Sequence, residues 1–84
     1  MGLVTGTLKD GAGQLMPNKT ITFYYNGTAA GTVTTDAAGK YSKMLTGPAQ
    51  YYAVVDAHYC TPKPMNVPAG VAVINLVKIT TPYP

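Results

Sequence analysis

The chain has 84 residues, 46% of them hydrophobic and only 11% charged, with a formal net charge of +3. That length makes one domain, and three aspartates, one histidine and one cysteine exclude a rich acid–base or metal centre. Twelve threonines, seven tyrosines, nine glycines and seven prolines favour strands and tight turns over helix or disorder.

Apolar residues alternate with period two along most of the chain, the pattern of half-buried strands. Leu3 to Lys9 reads as the first strand, with Val4, Gly6 and Leu8 on one face. A glycine-rich turn, Asp10 to Gln14, follows. Thr20 to Tyr25 is the clearest strand: Ile21, Phe23 and Tyr25 face one way, Thr20, Thr22 and Tyr24 the other. Asn26-Gly27 is a strong hairpin signal and leads into Gly31 to Thr35, with Val33 inward. After the turn Asp36 to Gly39, Lys40 to Leu45 carries Tyr41 and Leu45 in phase. Lys43 shares that phase, so the face is partly open there or a bulge shifts the register.

Gly47-Pro48 turns the chain again, and Tyr51 to Ala57 is almost wholly apolar, as in a strand buried on both faces or lying at an interface. Cys60 to Ala69 contains Pro62, Pro64 and Pro68 and reads as an irregular connection or weak edge strand. Val71 to Ile79 is the last and longest strand. Seven such strands predict an all-β fold, a small seven-stranded antiparallel β-sandwich of Ig-like or prealbumin-like type. The domain is expected to occupy residues 1–79, with residues 80–84 as an extended C-terminal tail.

Chemistry-bearing residues are few. The six lysines are scattered and no arginine accompanies them, so nucleic acid is not the expected partner. No apolar stretch reaches the roughly 20 residues a membrane helix needs. The segment MGLVTGTLKD lacks the basic and apolar regions of a signal peptide, which is read as cytoplasmic synthesis or excision from a longer chain. His58 and Cys60 supply at most two of the about four ligands that zinc takes, and no metal or cofactor is expected. Asp56, His58 and Cys60 are the residue types of a cysteine hydrolase. However, alternate strand residues stand about 6.5–7 Å apart, whereas nucleophile and base need roughly 3 Å, so no enzyme is expected. Asn18-Lys19-Thr20 and Asn26-Gly27-Thr28 match the glycosylation sequon and are read as turn chemistry.

Two segments carry a family resemblance. They are Val4 to Gln14, followed by Pro17 to Phe23, and Thr34 to Ser42 with its Thr35-Asp36-Ala37-Ala38-Gly39-Lys40-Tyr41 corner. Together they resemble the prealbumin-like sandwich of carboxypeptidase regulatory-like domains. More closely, Gly6 to Gly13, Asn18 to Ile21 and Ala38 to Ser42 resemble the N-terminal domain of prophage tail fibre proteins. The resemblance runs from the start of the chain to about Asp56. It implies a virion component of a tailed phage, either a capsid decoration or cement protein or a tail-fibre attachment domain. Its partner would be the protein lattice of capsid or tail, with homo-oligomerisation also open. The alternative is a bacterial cell-surface adhesin module binding glycan or protein. Pilin and adhesin domains with this sandwich form isopeptide bonds, for which Lys9, Asn75 and Asp56 supply the residue types. Lys9, however, is one step out of that family's phase.

The tyrosines are the remaining functional signal. Tyr24-Tyr25 and Tyr51-Tyr52 are adjacent pairs, and each places one ring on each face of its strand. Outward tyrosines in a low-charge surface are typical of interface centres. Tyr24, Tyr52, Tyr59 and Tyr83 are the interface candidates.

Overall fold

Ile21 and Phe23 are fully buried and Thr20 to Tyr25 forms a strand, as their alternation requires. A computed structural model describes residues 2–83 of the chain. They form nine strands: β1 Gly2–Lys9, β2 Thr20–Tyr25, β3 Thr28–Thr34, β4 Lys40–Leu45, β5 Ala49–Val55, β6 His58–Thr61, β7 Met65–Val67, β8 Val71–Val73 and β9 Leu76–Pro82. The main sheet runs β3-β2-β5-β6-β9-β1-β4, with β7 added to β5 and β8 to β1. Its two end strands approach each other: a Cβ on Gly31 of β3 would lie 3.0 Å from the Lys43 Nζ of β4. The sheet thus curls into an almost closed shape around Val4, Leu8, Ile21, Phe23, Tyr51 and Leu76, with their buried neighbours.

An all-β fold is what the sequence predicts, but the seven-stranded antiparallel arrangement is not what forms. Both β8 and β9 pair with β1 in parallel. The expected last strand, Val71 to Ile79, divides at Ile74 and Asn75, because β1 is itself covered in two steps. Leu3–Thr5 pair with β8 and Leu8–Lys9 with β9. Between them the Asn75 side chain substitutes for a strand, its Oδ1 accepting from the Thr7 amide at 3.2 Å. Gly6 lies at this crossing, where a Cβ would run into the Ile74 carbonyl. That same carbonyl accepts from the buried Tyr41 hydroxyl at 2.6 Å. The prolines delimit strands rather than abolish them. Pro62 follows β6, and Pro64 and Pro68 bracket β7, positions where a missing N–H removes no ladder bond.

The last strand also corrects the expected tail. Thr80 to Pro82 belong to β9, His58 pairs with Pro82, and the Tyr83 amide donates to the Ala57 carbonyl at 2.7 Å. The expected strand Tyr51 to Ala57 shifts two residues toward the N-terminus, to Ala49–Val55, and Asp56-Ala57 form a two-residue hairpin with φ of 51° and 61°. Lys43 keeps its phase without a bulge, as the β1–β4 register is regular throughout. It is half-buried at the seam beside Gly31.

Asp10 to Gln14 and Asp36 to Lys40 adopt one and the same turn. In each, the aspartate Oδ1 accepts two amides, from Ala12 and Gln14 in the first and from Ala38 and Lys40 in the second. A glycine at positive φ, Gly13 or Gly39, closes each turn. The Lys40 and Ala38 amides hold the Asp36 carboxyl below its ordinary value. Thr35 is the buried polar residue of this region. Its Oγ1 donates to Met16 O at 2.7 Å and accepts from Lys19 N at 2.9 Å, tying the β1–β2 connection to the end of β3.

Candidate functional site

The inward phase of β2 sends Thr20, Thr22 and Tyr24 to the outer face of the sheet. Across β5 they meet Val54 opposite Thr22 and Tyr52 opposite Tyr24, and Val54 in turn pairs with Tyr59 of β6. The chain then returns along β9 and brings Tyr83 onto the same face. The Tyr83 ring stacks on Tyr24, with centroids 4.4 Å apart and planes at 24°. Tyr59 meets Tyr83 edge-on at 5.5 Å, and Tyr52 meets Tyr59 edge-on at 5.8 Å. All four tyrosines singled out from the sequence therefore form one cluster, drawn from β2, β5, β6 and the residue after β9. The Lys63 ammonium lies 4.1 Å above the Tyr59 ring, a cation–π contact that orients the Pro62–Pro64 turn. Partial burial against its neighbours, followed by the nearby Tyr24 and Tyr59 hydroxyls, pushes the Tyr83 phenol above its ordinary value.

Beside the rings is an open cleft of about 560 Å³. Tyr24 and Tyr83 form its aromatic wall, while Thr20, Thr22, Lys19 and Asp56 supply hydroxyls and charge. Val54 also lines it and is only 6% exposed, although both its neighbours in sequence point into the core. The Lys19 Nζ and an Asp56 Oδ are 3.2 Å apart, with both side chains about half exposed. A pair so exposed adds little to stability, but it presents a donor and an acceptor at the cleft edge. The arrangement suits a ligand with one apolar face and a rim of hydrogen-bonding groups.

Tyr25 is more exposed than its inward phase suggests. It keeps the phase of Ile21 and Phe23, and the extra residue of the β2–β3 pairing is Ala30 on β3, but at the end of its strand the ring is not enclosed. It is 45% exposed and leans on Tyr51 at 5.5 Å, while Tyr51 is buried. The sequence does not reveal the Lys19–Asp56 pair, which joins residues far apart in the chain. The outward phase of Thr20 and Thr22 alongside Tyr24 was the available signal for the cleft floor.

The other candidate constellations do not assemble. Cys60 faces the core at 1% exposure, and burial pushes its thiol up to about 11. Asp56 pairs with Lys19, and the His58 Nδ1 contacts the Asp56 carbonyl at 2.7 Å. No nucleophile is therefore presented to a base. Among the described residues no three His, Cys, Asp or Glu side chains gather as a metal site. No helix among them is long and apolar enough to cross a membrane. The isopeptide set is likewise dispersed: Asn75 is bonded to Thr7, Asp56 to Lys19, and Lys9 pairs in its ladders with Leu15 and Val77. Asn18 and Asn26 both lie in turns at positive φ, with Asn18 at the rim of the cleft.

The buried thiol carries a pH dependence. A group kept neutral in the folded state contributes fully below its unfolded pKa and is lost as the pH climbs to its folded value. Stability to urea is expected to be level up to about pH 9 and to fall between pH 9 and about 11 as unfolded Cys60 ionises. Tyr41, whose phenol is raised chiefly by burial, adds to the fall from about pH 10 upward. Urea melts of the native chain and Cys60→Ala at pH 8, 9 and 10 check this. A native curve as flat as that of the variant refutes it.

No protein-family model matches the chain, nor does any curated protein. Among solved structures, the fold is similar to that of a "putative carbohydrate binding protein" from Bacteroides uniformis, with a TM-score of 0.69 and 21% sequence identity. The match covers 98% of this chain and 42% of the Bacteroides chain, so the present chain spans less than half of that protein.

Proposed function

We propose that the chain is a non-catalytic carbohydrate-binding module whose ligand occupies the tyrosine-walled cleft. The observation that carries this reading is the joining of the Tyr24–Tyr83 stack to a cleft edged by threonine hydroxyls and the Lys19–Asp56 pair. A pyranose ring has an apolar C–H face and a rim of hydroxyls, and the cleft offers a partner to each. The likeness to the Bacteroides putative carbohydrate binding protein supports the reading, since the fold similarity extends over nearly the whole of this chain. Of the segments behind the tail-fibre resemblance, Gly6 to Gly13 and Ala38 to Ser42 contribute no lining residue to the cleft, whereas Asn18, Lys19 and Thr20 of the Asn18 to Ile21 segment do.

The test is a panel of immobilised β-glucan, xylan, mannan, starch and pectin, probed with the native chain, Tyr24→Ala and Tyr52→Ala. The native chain is expected to retain at least one polysaccharide. Loss of the Tyr24 platform is expected to weaken that binding about tenfold, since an aromatic contact and its buried area amount to roughly 1.4 kcal/mol. A folded native chain that retains none of the five refutes the reading and returns the protein lattice of a virion or an adhesin's protein partner as the object of search.

A further inference from the structure

Val71 and Val73 of β8 are 74% and 71% exposed, the highest values among the exposed large apolar side chains. Both belong to a wider outer face. In the register of the pairings, Val71, Leu3 and Met44 lie in one row across β8, β1 and β4, and Val73, Thr5 and Ser42 lie in the next. None of the six carries a charge, in a chain of net charge +3. The tyrosine cleft takes no lining residue from β1, β4 or β8, so this surface is separate from the proposed ligand site.

The strand also has an unpaired edge. Gly70 O accepts from the Leu3 amide at 3.1 Å, and the Ile74 amide donates to Thr5 O at 2.8 Å. In that parallel register the Ala72 amide and carbonyl face β1, and those of Val71 and Val73 face away from it. Among the described residues no strand pairs with this second edge. Edges of this kind are ordinarily blunted by lysine, proline or a bulge. The other three-residue strand, β7, is bracketed by Pro64 and Pro68. β8 has no such device: from Gly70 to Asn75 the chain reads Val-Ala-Val-Ile.

We infer that β8 is a self-association edge, at which two copies of the chain pair antiparallel about a two-fold axis through Ala72. Symmetry selects a second copy. The outward backbone groups lie one residue either side of Ala72, so Val71 of one copy meets Val73 of the other and each such pair exchanges both its backbone bonds. Charge selects it too. The strip carries none, so two cationic chains meet there without opposing like charges, and an acidic partner finds no cation on it. Its extent sets the strength. Three residues a side fall well short of the roughly 800 Å² per partner of a stable complex, so the dimer is weak, with a Kd of about 0.1 mM.

The experiment is sedimentation equilibrium of the intact chain over a series from about 10 μM to about 1 mM, in which the mean mass is expected to rise from one chain toward two. Val73→Pro removes an outward amide that gives no bond to β1, a place where an edge strand tolerates proline. It is expected to weaken association at least tenfold, with its urea midpoint as the check on folding. Ala72→Cys, in a chain that also carries Cys60→Ala, sets two thiols opposite each other on the axis. Mild oxidation is expected to give a cross-linked dimer. Gly70→Cys in the same background is the control, because a Cβ there meets open space and its two copies stand displaced along the paired strands, out of disulfide reach. A single-chain mass at the highest concentration overturns the proposal. So does growth past two chains, or a folded Val73→Pro that associates like the native chain. Equal cross-linking by Gly70→Cys and Ala72→Cys overturns it as well. If Val73→Pro does not fold, the two cysteine variants decide alone.

Discussion

Alanine at Gly6 is expected to cost about 3–5 kcal/mol and to leave a large fraction of the chain unfolded, because its methyl group would meet backbone rather than a movable side chain. The obstacle is the Ile74 carbonyl, with the Asn75 Oδ1 3.2 Å away. That carbonyl cannot retreat freely. The Ile74 amide donates to Thr5 O at 2.8 Å, and the carbonyl itself holds the Tyr41 hydroxyl. Moving Ile74 would therefore break the step between β8 and β9, on which the parallel pairing to β1 depends. Gly70→Ala is the control, since a Cβ there meets open space. It is expected to change stability by less than about 0.5 kcal/mol, as for other surface changes away from special features. Urea melts of both variants beside the native chain decide the matter. A Gly6→Ala midpoint equal to that of Gly70→Ala would mean that the crossing is looser than this geometry.

A chain ending at Ile79 is expected to lose carbohydrate binding by at least a hundredfold and to lose about 1–3 kcal/mol of stability. The truncation removes the His58–Pro82 end of the β6–β9 pairing and the bond from the Tyr83 amide to Ala57. It also takes away the ring that stacks on Tyr24 and touches Tyr59, and so exposes the outer face around Val54. Tyr83→Ala in the full-length chain separates the two effects. It keeps the backbone pairing and removes the ring, so binding is expected to fall about tenfold with a smaller loss of stability. Calorimetric titration with the retained polysaccharide and urea melts measure both. Undiminished binding by the shortened chain would place the ligand away from the Tyr83 wall.

The site was partly legible before the fold. Tyr24 and Tyr52 stood out as members of adjacent tyrosine pairs in a chain with little charge, and Tyr59 and Tyr83 were named as candidates beside them. That they touch one another was not legible. Their strands are brought together by the return of β9 beside β6, and the Tyr83 ring reaches the cluster only because Thr80 to Pro82 continue that strand. Read locally, a Thr-Thr-Pro-Tyr-Pro segment ends a ladder. In the structure its one pairing edge has β6 to meet. Alternation placed Tyr25 in the phase of Ile21 and Phe23, where it leans on Tyr51, but it did not show that the end of the strand leaves that ring 45% exposed.

What the sequence determined by itself is local and periodic. Alternation put Ile21, Phe23, Tyr41 and Leu45 inside, and Asn26-Gly27 and the two aspartate–glycine segments made their turns from side-chain and backbone preferences alone. The tertiary structure alone decided the nine-strand mixed order, the substitution of the Asn75 side chain for a missing strand bond, and the Lys19–Asp56 pair at the cleft. Each of these joins residues distant in the chain. Such contacts depend on which strand edges and buried faces remain unpaired once the local elements exist, and no short-range pattern encodes that.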